Sequence, residues 1–296
     1  MVARINKVNN INMVLDSGAF SSNQKGTEVD VYKYMDFIRE NKVELYFNLD
    51  VIGSAEGSWK NQEIMEKNGF SPLPVFHVED EERYLDRCIS DYRYFALGGM
   101  AGGVSEQSRE RFLDRCWEKI CPAPTYMPTN KVHGLGLASP LLISKYPWAS
   151  CDTASGIHYG RYGIIIIPRM KHGGKPDYLS PPYSIYITER STTVQIEGKH
   201  IRNVAPSVRK WIYEYIVSRG FAVGKIDLVP VLKGYELQEG EKFTGKEKVL
   251  IERVIEPGVV SNGTIRDYFN LDFYLQMEKA IPAWPWPYKP KVKRLF

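Results

Sequence analysis

No apolar run in the chain approaches the roughly 20 residues that a membrane-crossing helix needs. The longest is GIIIIP at 163–168, and the N-terminus lacks the apolar core of a secretory signal. Both absences argue against a membrane protein. Cysteine is sparse: Cys88, Cys116, Cys121 and Cys151 show neither CxxC spacing nor a secreted disulfide framework, which points to reduced thiols, a cytoplasmic setting and no metal. No GxGxxG fingerprint is present, so a dinucleotide cofactor has nothing to rest on, and no other cofactor is expected. What remains is an ordinary globular composition, 43% hydrophobic and 25% charged over 296 residues, enough for one large α/β domain with an appendage.

Charge is mildly positive, +4 at pH 7, but uneven. Between Arg161 and Lys210 nine Lys or Arg face only Asp177, Glu189 and Glu197, and the chain ends PYKPKVKRLF. A basic excess interleaved with Tyr and Trp suits a polyanion such as nucleic acid; a solvated face and a loose tail would look the same.

One unit recurs along the first half. The apolar run 11–15 ends at Asp16, and Thr27 is placed to cap a helix with Val31, Met35 and Ile38 on one face. Run 43–49 ends at Asp50, followed by a helix over 60–69 closed by Gly69. PLPVFHV (72–78) precedes a helix carrying Tyr84, Leu85 and Cys88; RYFALGGM (93–100) precedes one capped by Ser105 and bearing Phe112, Leu113 and Cys116. NKVHGLGLASP (130–140) leads to a helix opened by Ser139 and Pro140, and WASCD (148–152) and GIIIIP follow. Strands alternating with helices imply a parallel sheet. Polar residues at successive strand ends favour a TIM-like (β/α)8 barrel, in which Asp16, Asp50, His77, Gly98, Gly99, His133 and Asp152 would gather on one face.

In this order the segments DSGAF (16–20), LD (49–50), ALGGMAGG (96–103), HGLG (133–136) and SCDTAS (150–155) resemble the motifs of the tRNA-guanine transglycosylase superfamily. The resemblance spans roughly residues 11–160. It implies base exchange: one Asp attacks C1′ of a guanosine, guanine departs, and a free 7-deazaguanine base takes its place. The matching nucleophile is Asp152, and a carboxylate suits that role because it can trap an oxocarbenium-like carbon covalently. Asp16 matches the group that protonates the departing base and deprotonates the incoming one. Asp50 matches the carboxylate that accepts from the N1–H and amine of a guanine edge, and Gly98 and Gly99, with Met100, His133 and Gly134 in the matched segments, would border the base.

The departures also carry information. His77 stands where the family has Gln, the glutamate that ends the family's glycine motif is missing after Gly103, and the family's Cys/His zinc site is absent. The missing zinc site and the SCDTAS context resemble the phage and bacterial DNA 7-deazaguanine transglycosylases more than the tRNA enzymes. The expected partner is therefore DNA, with tRNA as the alternative; a non-catalytic, transglycosylase-like subunit of a larger assembly and a sugar-directed barrel glycosidase are the other readings, and a homodimer is open.

Residues 1–170 are expected to form the catalytic barrel core. Residues 171–296 would supply the remaining barrel elements and a basic α+β appendage. Because few residues precede the first motif strand, the barrel is expected to gain a short strand from Ile5–Ile11, to be completed by GIIIIP, YSIYITE (183–189) and TTVQIE (192–197), or to stay incomplete at its N-terminal side. His158, Arg161, Arg169, Lys171 and Lys175, with Arg190, Arg202, Arg209 and Lys210, are the candidate phosphate contacts. A helix capped at Ser207 with Trp211, Ile212, Tyr215 and Ile216 inward and Gly220 after it, and another near 265–280, complete the expectation.

Overall fold

The computed structural model describes residues 13–24, 26–100, 104–171, 173–188, 198–244 and 247–291. By contacts the chain divides into two compact units: the first holds residues up to Leu137, Lys145–Asp152 and the segment from Ala283, and the second holds Ala138–Ser144 and Thr153–Pro282.

In the first unit each apolar run satisfies its backbone by pairing in parallel with the next run along the chain. Leu15 bridges Tyr46, and Phe47 bridges Leu73. The chain then enters β1 (Val75–His77), β2 (Tyr94–Gly98), β3 (Lys131–Gly134) and β4 (Ser150–Cys151), a four-stranded parallel sheet in sequence order. Helices α1 (Ala19–Gln24), α2 (Val31–Glu40), α3 (Ala55–Lys67), α4 (Glu82–Asp91) and α5 (Glu106–Ile120) occupy the intervals, and α6 (Pro140–Lys145), which follows β3 in the chain, is grouped with the second unit up to Ser144. The expected alternation is therefore present.

Two helix starts differ from expectation. The cap of α2 is Asp30, whose carboxylate accepts from the N–H groups of Tyr32 and Lys33; Thr27 lies too far upstream and its hydroxyl donates to the Ser22 carbonyl instead. The next helix, α3, begins at Ala55 rather than near residue 60, because Ser54 caps it by accepting from the Gly57 N–H; Gly57, which reads against a helix, is there for space, since a Cβ would lie 3.0 Å from Ser54 Oγ and Val51 Cβ. Ser105 caps α5 through the Ser108 N–H, as expected.

The period of two along a strand sends alternate residues to opposite faces. One face of the sheet is apolar, with Phe76 stacked on Phe112 of α5 and Phe95, Leu97 and Val132 fully buried. The other face carries Val75, His77, Ala96, Gly98, His133 and Ser150, since Val75 pairs with Ala96, His77 with Gly98, and His133 with both Ala96 and Ser150. This second face is concave. Phe47 and His133 are three interstrand steps apart, about 14 Å on a flat sheet, yet their ring centroids are 5.1 Å apart.

The C-terminal segment belongs to the first unit and is not a loose basic tail as far as Lys291. Tyr288 is buried, stacks on Tyr146 and donates its N–H to the Tyr126 carbonyl, while Lys291 pairs with Glu110 and Asp114.

The second unit contains α7 (Ser155–Arg161), β5 (Ile164–Ile167), β6 (Arg169–Met170), β7 (Pro176–Asp177), β8 (Tyr183–Tyr186), α8 (Pro206–Ser218), β9 (Lys225–Pro230), β10 (Glu241–Thr244), β11 (Leu250–Glu256) and α9 (Gly263–Ala280). GIIIIP does form a strand, but β5 pairs antiparallel with β8 rather than joining the parallel sheet. Its four buried isoleucines read like a central parallel strand because it is covered on both faces, and Ile165, Ile167, Ile185, Ile212, Ile216 and Phe269 share one core. Asn270 ties α9 to this strand by accepting from Ile166 N–H and donating to the Ile164 and Gly156 carbonyls. The other sheets are the β6–β7 pair and β10-β11-β9, both antiparallel. The cap of α8 is Ala205 rather than the expected Ser207, and Pro206 takes the first helical position, where its missing N–H costs nothing. The segments Ile5–Ile11 and TTVQIE lie outside the described residues. Among the described residues no helix is long and apolar enough to cross a membrane.

Candidate active site

Asp152 follows β4 at the carboxyl end of the sheet. Its Oδ1 accepts from the Gly136 N–H at 2.8 Å and lies 3.2 Å from His133 Nε2. The other ring nitrogen, Nδ1, is 2.6 Å from Ser150 Oγ, which in turn is 2.7 Å from the Tyr94 hydroxyl. Serine, histidine and aspartate thus stand in one hydrogen-bonded series. In an acyl-transfer triad the serine is the reacting end and the carboxylate is buried. Here the polarity is reversed: the Asp152 side chain is 55% exposed, the His133 side chain is 6% exposed, and Ser150 is capped by Tyr94. Burial works against the charge on Asp152, but the hydrogen bonds from His133 and Gly136 outweigh it and hold the carboxyl below its ordinary range. The arrangement delivers an ionised carboxylate to the open end of the series.

In a second pair, His77 lies two strand positions from His133 and Asp50 four from Asp152. Asp50 Oδ2 is 3.4 Å from His77 Nε2, and the Asp80 carboxylate lies 3.5 Å from His77 Nδ1 while accepting the His77 backbone N–H at 2.8 Å. Asp50 is placed by helix α3: Val51 N–H donates to Ser58 Oγ, Asn61 donates to the Leu49 carbonyl, and Asn48 donates to the Ser58 carbonyl. The other Asp50 oxygen, Oδ1, is buried with no hydrogen-bond partner among the described residues. Burial pushes the Asp50 carboxyl up, with His77 opposing and Asp16 and Asp80 adding to the rise. For His77, burial disfavours the imidazolium, but the two flanking carboxylates more than offset it and raise the ring to about 10. The pair therefore keeps a proton through neutral pH.

This has a measurable consequence. A ring whose folded-state value exceeds its unfolded value of about 6.5 contributes stability that is complete below that value and lost as pH rises through about 10. Urea denaturation of the protein from pH 6 to 10.5 should show stability falling across that window, and His77→Gln should flatten the slope. An unchanged slope in the variant would mean that His77 does not hold the proton.

Asp16 is exposed and precedes Gly18, whose positive φ of 72° makes the turn into α1. Burial first, then the carboxylates of Asp16 and Asp50 among others, raises the Tyr34 phenol well above its usual range, so these two carboxylates share one neighbourhood. Asp16 and Asp152 follow the two outermost positions of the parallel array, and among the described residues those edges are not paired.

The remaining sequence-derived residues divide by role. His77 and His133, expected at the base, lie against the carboxylates of Asp50 and Asp152. Gly98 makes room for the His77 ring, since a Cβ would lie 3.0 Å from His77 Cδ2, and Gly99 has a φ of 72°. Gly134 is required by packing, with Leu137, Cys151 and Trp148 all within 3.3 Å of a Cβ, and Met100 is buried. His158, Arg161, Arg169, Lys171 and Lys175 are exposed and belong to the second unit. There Lys171 pairs with Asp177, Arg169 donates to the Pro181 carbonyl and covers the Tyr183 ring, and Arg209 is spent on the Ile201 and Arg202 carbonyls. Arg190 lies outside the described residues.

Sequence reasoning missed Asp80, Ser150, Tyr94 and the Gly136 amide. Only Ser150 left a local signal, being two residues before Asp152 and so on the same face of the strand.

No family model, curated protein or solved structure matches the chain. Among the described residues no group of His, Cys, Asp or Glu is arranged to hold a metal ion, and all four cysteines are unpaired. A cleft of about 90 Å3 in the first unit lies on the apolar face of the sheet, lined by Phe76, Val78, Asp80, Phe112 and Cys116 among others.

Proposed function

We propose that the chain is a base-exchanging transglycosylase that replaces guanine in DNA by a 7-deazaguanine. The observation that carries this reading is the reversed polarity of the Ser150–His133–Asp152 series, which presents an ionised and exposed carboxylate rather than an exposed hydroxyl. A carboxylate of that kind is suited to attack C1′, forming an ester to the sugar as the bond to guanine breaks. The incoming base then attacks the same carbon and releases the Asp152 carboxylate. The order of the DSGAF, LD, ALGGM, HGLG and SCDTAS segments supports the same chemistry. Asp16 is assigned the proton exchange with the departing and arriving bases.

Asp50 is assigned base recognition. Its unpaired, buried Oδ1 is the acceptor that a guanine edge, with its N1–H and amine, would satisfy, and adenine would leave it orphaned. Asp50→Asn should weaken binding of the free base by roughly 1 to 3 kcal/mol. Exchange should be partly recovered at high base concentration, as read by titrating the base in a turnover assay; a variant that high base cannot rescue would contradict the assignment.

The reading requires a closed or nearly closed barrel. On a flat array the five interstrand steps between Asp16 and Asp152 would span about 24 Å. In an eight-stave barrel the same residues are three steps apart across the closure, and the concave face is consistent with that curvature.

The test is incubation with guanine-containing single-stranded DNA, duplex DNA and tRNA, followed by adduct trapping and nucleoside mass spectrometry. A modified deoxynucleoside is expected. Modification of tRNA alone would assign the tRNA reaction, and absence of any adduct would remove the enzyme reading in favour of a non-catalytic subunit.

A further inference from the structure

We propose that Ser150, backed by Tyr94, is the positioning residue that fixes the tautomer and ring plane of His133 and, through it, the orientation of the Asp152 carboxylate. The inference deepens the proposed reaction at Asp152 and rests on it for its kinetic test alone.

The hydrogen-bond inventory leaves one consistent direction for the neutral ring. An ionised carboxylate only accepts, so His133 Nε2, 3.2 Å from Asp152 Oδ1, must carry the proton. Its Nδ1 is then an acceptor, and the donor 2.6 Å away is the Ser150 hydroxyl. Having spent its single proton there, Ser150 Oγ accepts from the Tyr94 hydroxyl at 2.7 Å. Three strands take part, β2, β3 and β4, each supplying a residue on the same face. Phe47 packs against the His133 ring and leaves it no room to turn freely. In the first unit the titratable groups facing Asp152 are His133 and the neighbouring Cys151 thiol, whose own ionisation burial suppresses. None of Ser150, Tyr94 or Phe47 reaches the open side of Asp152. Oδ1 takes the contacts with His133 and Gly136, and the Asp152 side chain stays 55% exposed.

Two measurements test this. In the full chain, 15N NMR of the neutral His133 ring should show the Nε2–H tautomer with an unprotonated Nδ1. Ser150→Ala should mix the tautomers, Tyr94→Phe should do so more weakly, and Ser150→Thr, which keeps the hydroxyl, should restore the original signal. In the second, the rate of adduct formation on guanine-containing DNA should fall about five- to tenfold in Ser150→Ala, and Ser150→Thr should recover it. A merely structural serine would leave the tautomer signal of the folded variant unchanged. An unaltered tautomer in Ser150→Ala, or a hydroxyl-independent effect in Ser150→Thr, overturns the proposal. If no variant and not the parent protein forms an adduct, the transglycosylase reading falls while the NMR result still decides the role of Ser150.

Discussion

Asp152→Asn is expected, under the proposed base exchange, to abolish the protein–DNA adduct, with the exchange rate falling on the order of 10^4-fold or more. An amide oxygen is a poor nucleophile and carries no charge to balance the positive charge growing at C1′. The substitution is otherwise mild. The side-chain carbonyl of Asn can still accept from the Gly136 N–H and from His133 Nε2, and the position is 55% exposed, so folding should be little affected. That separation of effects makes the variant informative: denaturation midpoints should match the parent while trapping on guanine-containing DNA fails. Asp16→Asn should behave differently, slowing the proton exchange without removing the trapped ester. If Asp152→Asn still forms a stable adduct and Asp16→Asn or Asp50→Asn does not, the roles of these carboxylates are misassigned even if the reaction is right.

Tyr288→Ala is expected to destabilise the first unit by about 3 to 5 kcal/mol. Tyr288 is buried against Tyr146, and its ring closes an aromatic group in which Trp117 stacks on Tyr146 and meets Trp148 edge-on. Removing it leaves a cavity whose walls are rigid, because Tyr146 is also held by its hydroxyl to the Asp114 carboxylate at 2.7 Å. Substituting Lys291 should do far less. Its ammonium pairs with Glu110 and Asp114, but it is mostly exposed, and Lys145 already pairs with both carboxylates. Urea unfolding of the two variants side by side is the check. A large loss for Lys291→Ala with none for Tyr288→Ala would mean that charge rather than packing holds the C-terminal segment.

The strand ends were legible because their signals are local. An apolar run broken by Asp and a glycine turn is read within ten residues, and Asp16, Asp50 and Asp152 all fall where the pattern puts them. The roles of the histidines were not legible. His77 and His133 sit at strand ends like substrate ligands, but what each one touches depends on which strand lies beside it. Asp50 comes from a run 27 positions earlier than His77, and Ser150 and Tyr94 are 56 positions apart. Asp80 was overlooked for a different reason: three residues after His77, it reads as helix-start charge, and only the turn that returns it to the His77 N–H makes it a partner.

The amino-acid sequence by itself determined the alternation of strands and helices in the first half, the strand-end carboxylates, the cap at Ser105 and the inward faces of the helices, since periodicity and capping act over one or two turns of chain. Only the tertiary structure decided that β5 pairs antiparallel with β8, that Tyr288 is buried in the first unit, and that each of two carboxylates is held by a histidine from a neighbouring strand. Those outcomes depend on pairing between segments far apart in the chain. Ile164–Ile167 is equally apolar whichever neighbour it has, and a histidine presents the same two nitrogens to a base or to a carboxylate until a sheet brings one of them within 3.5 Å.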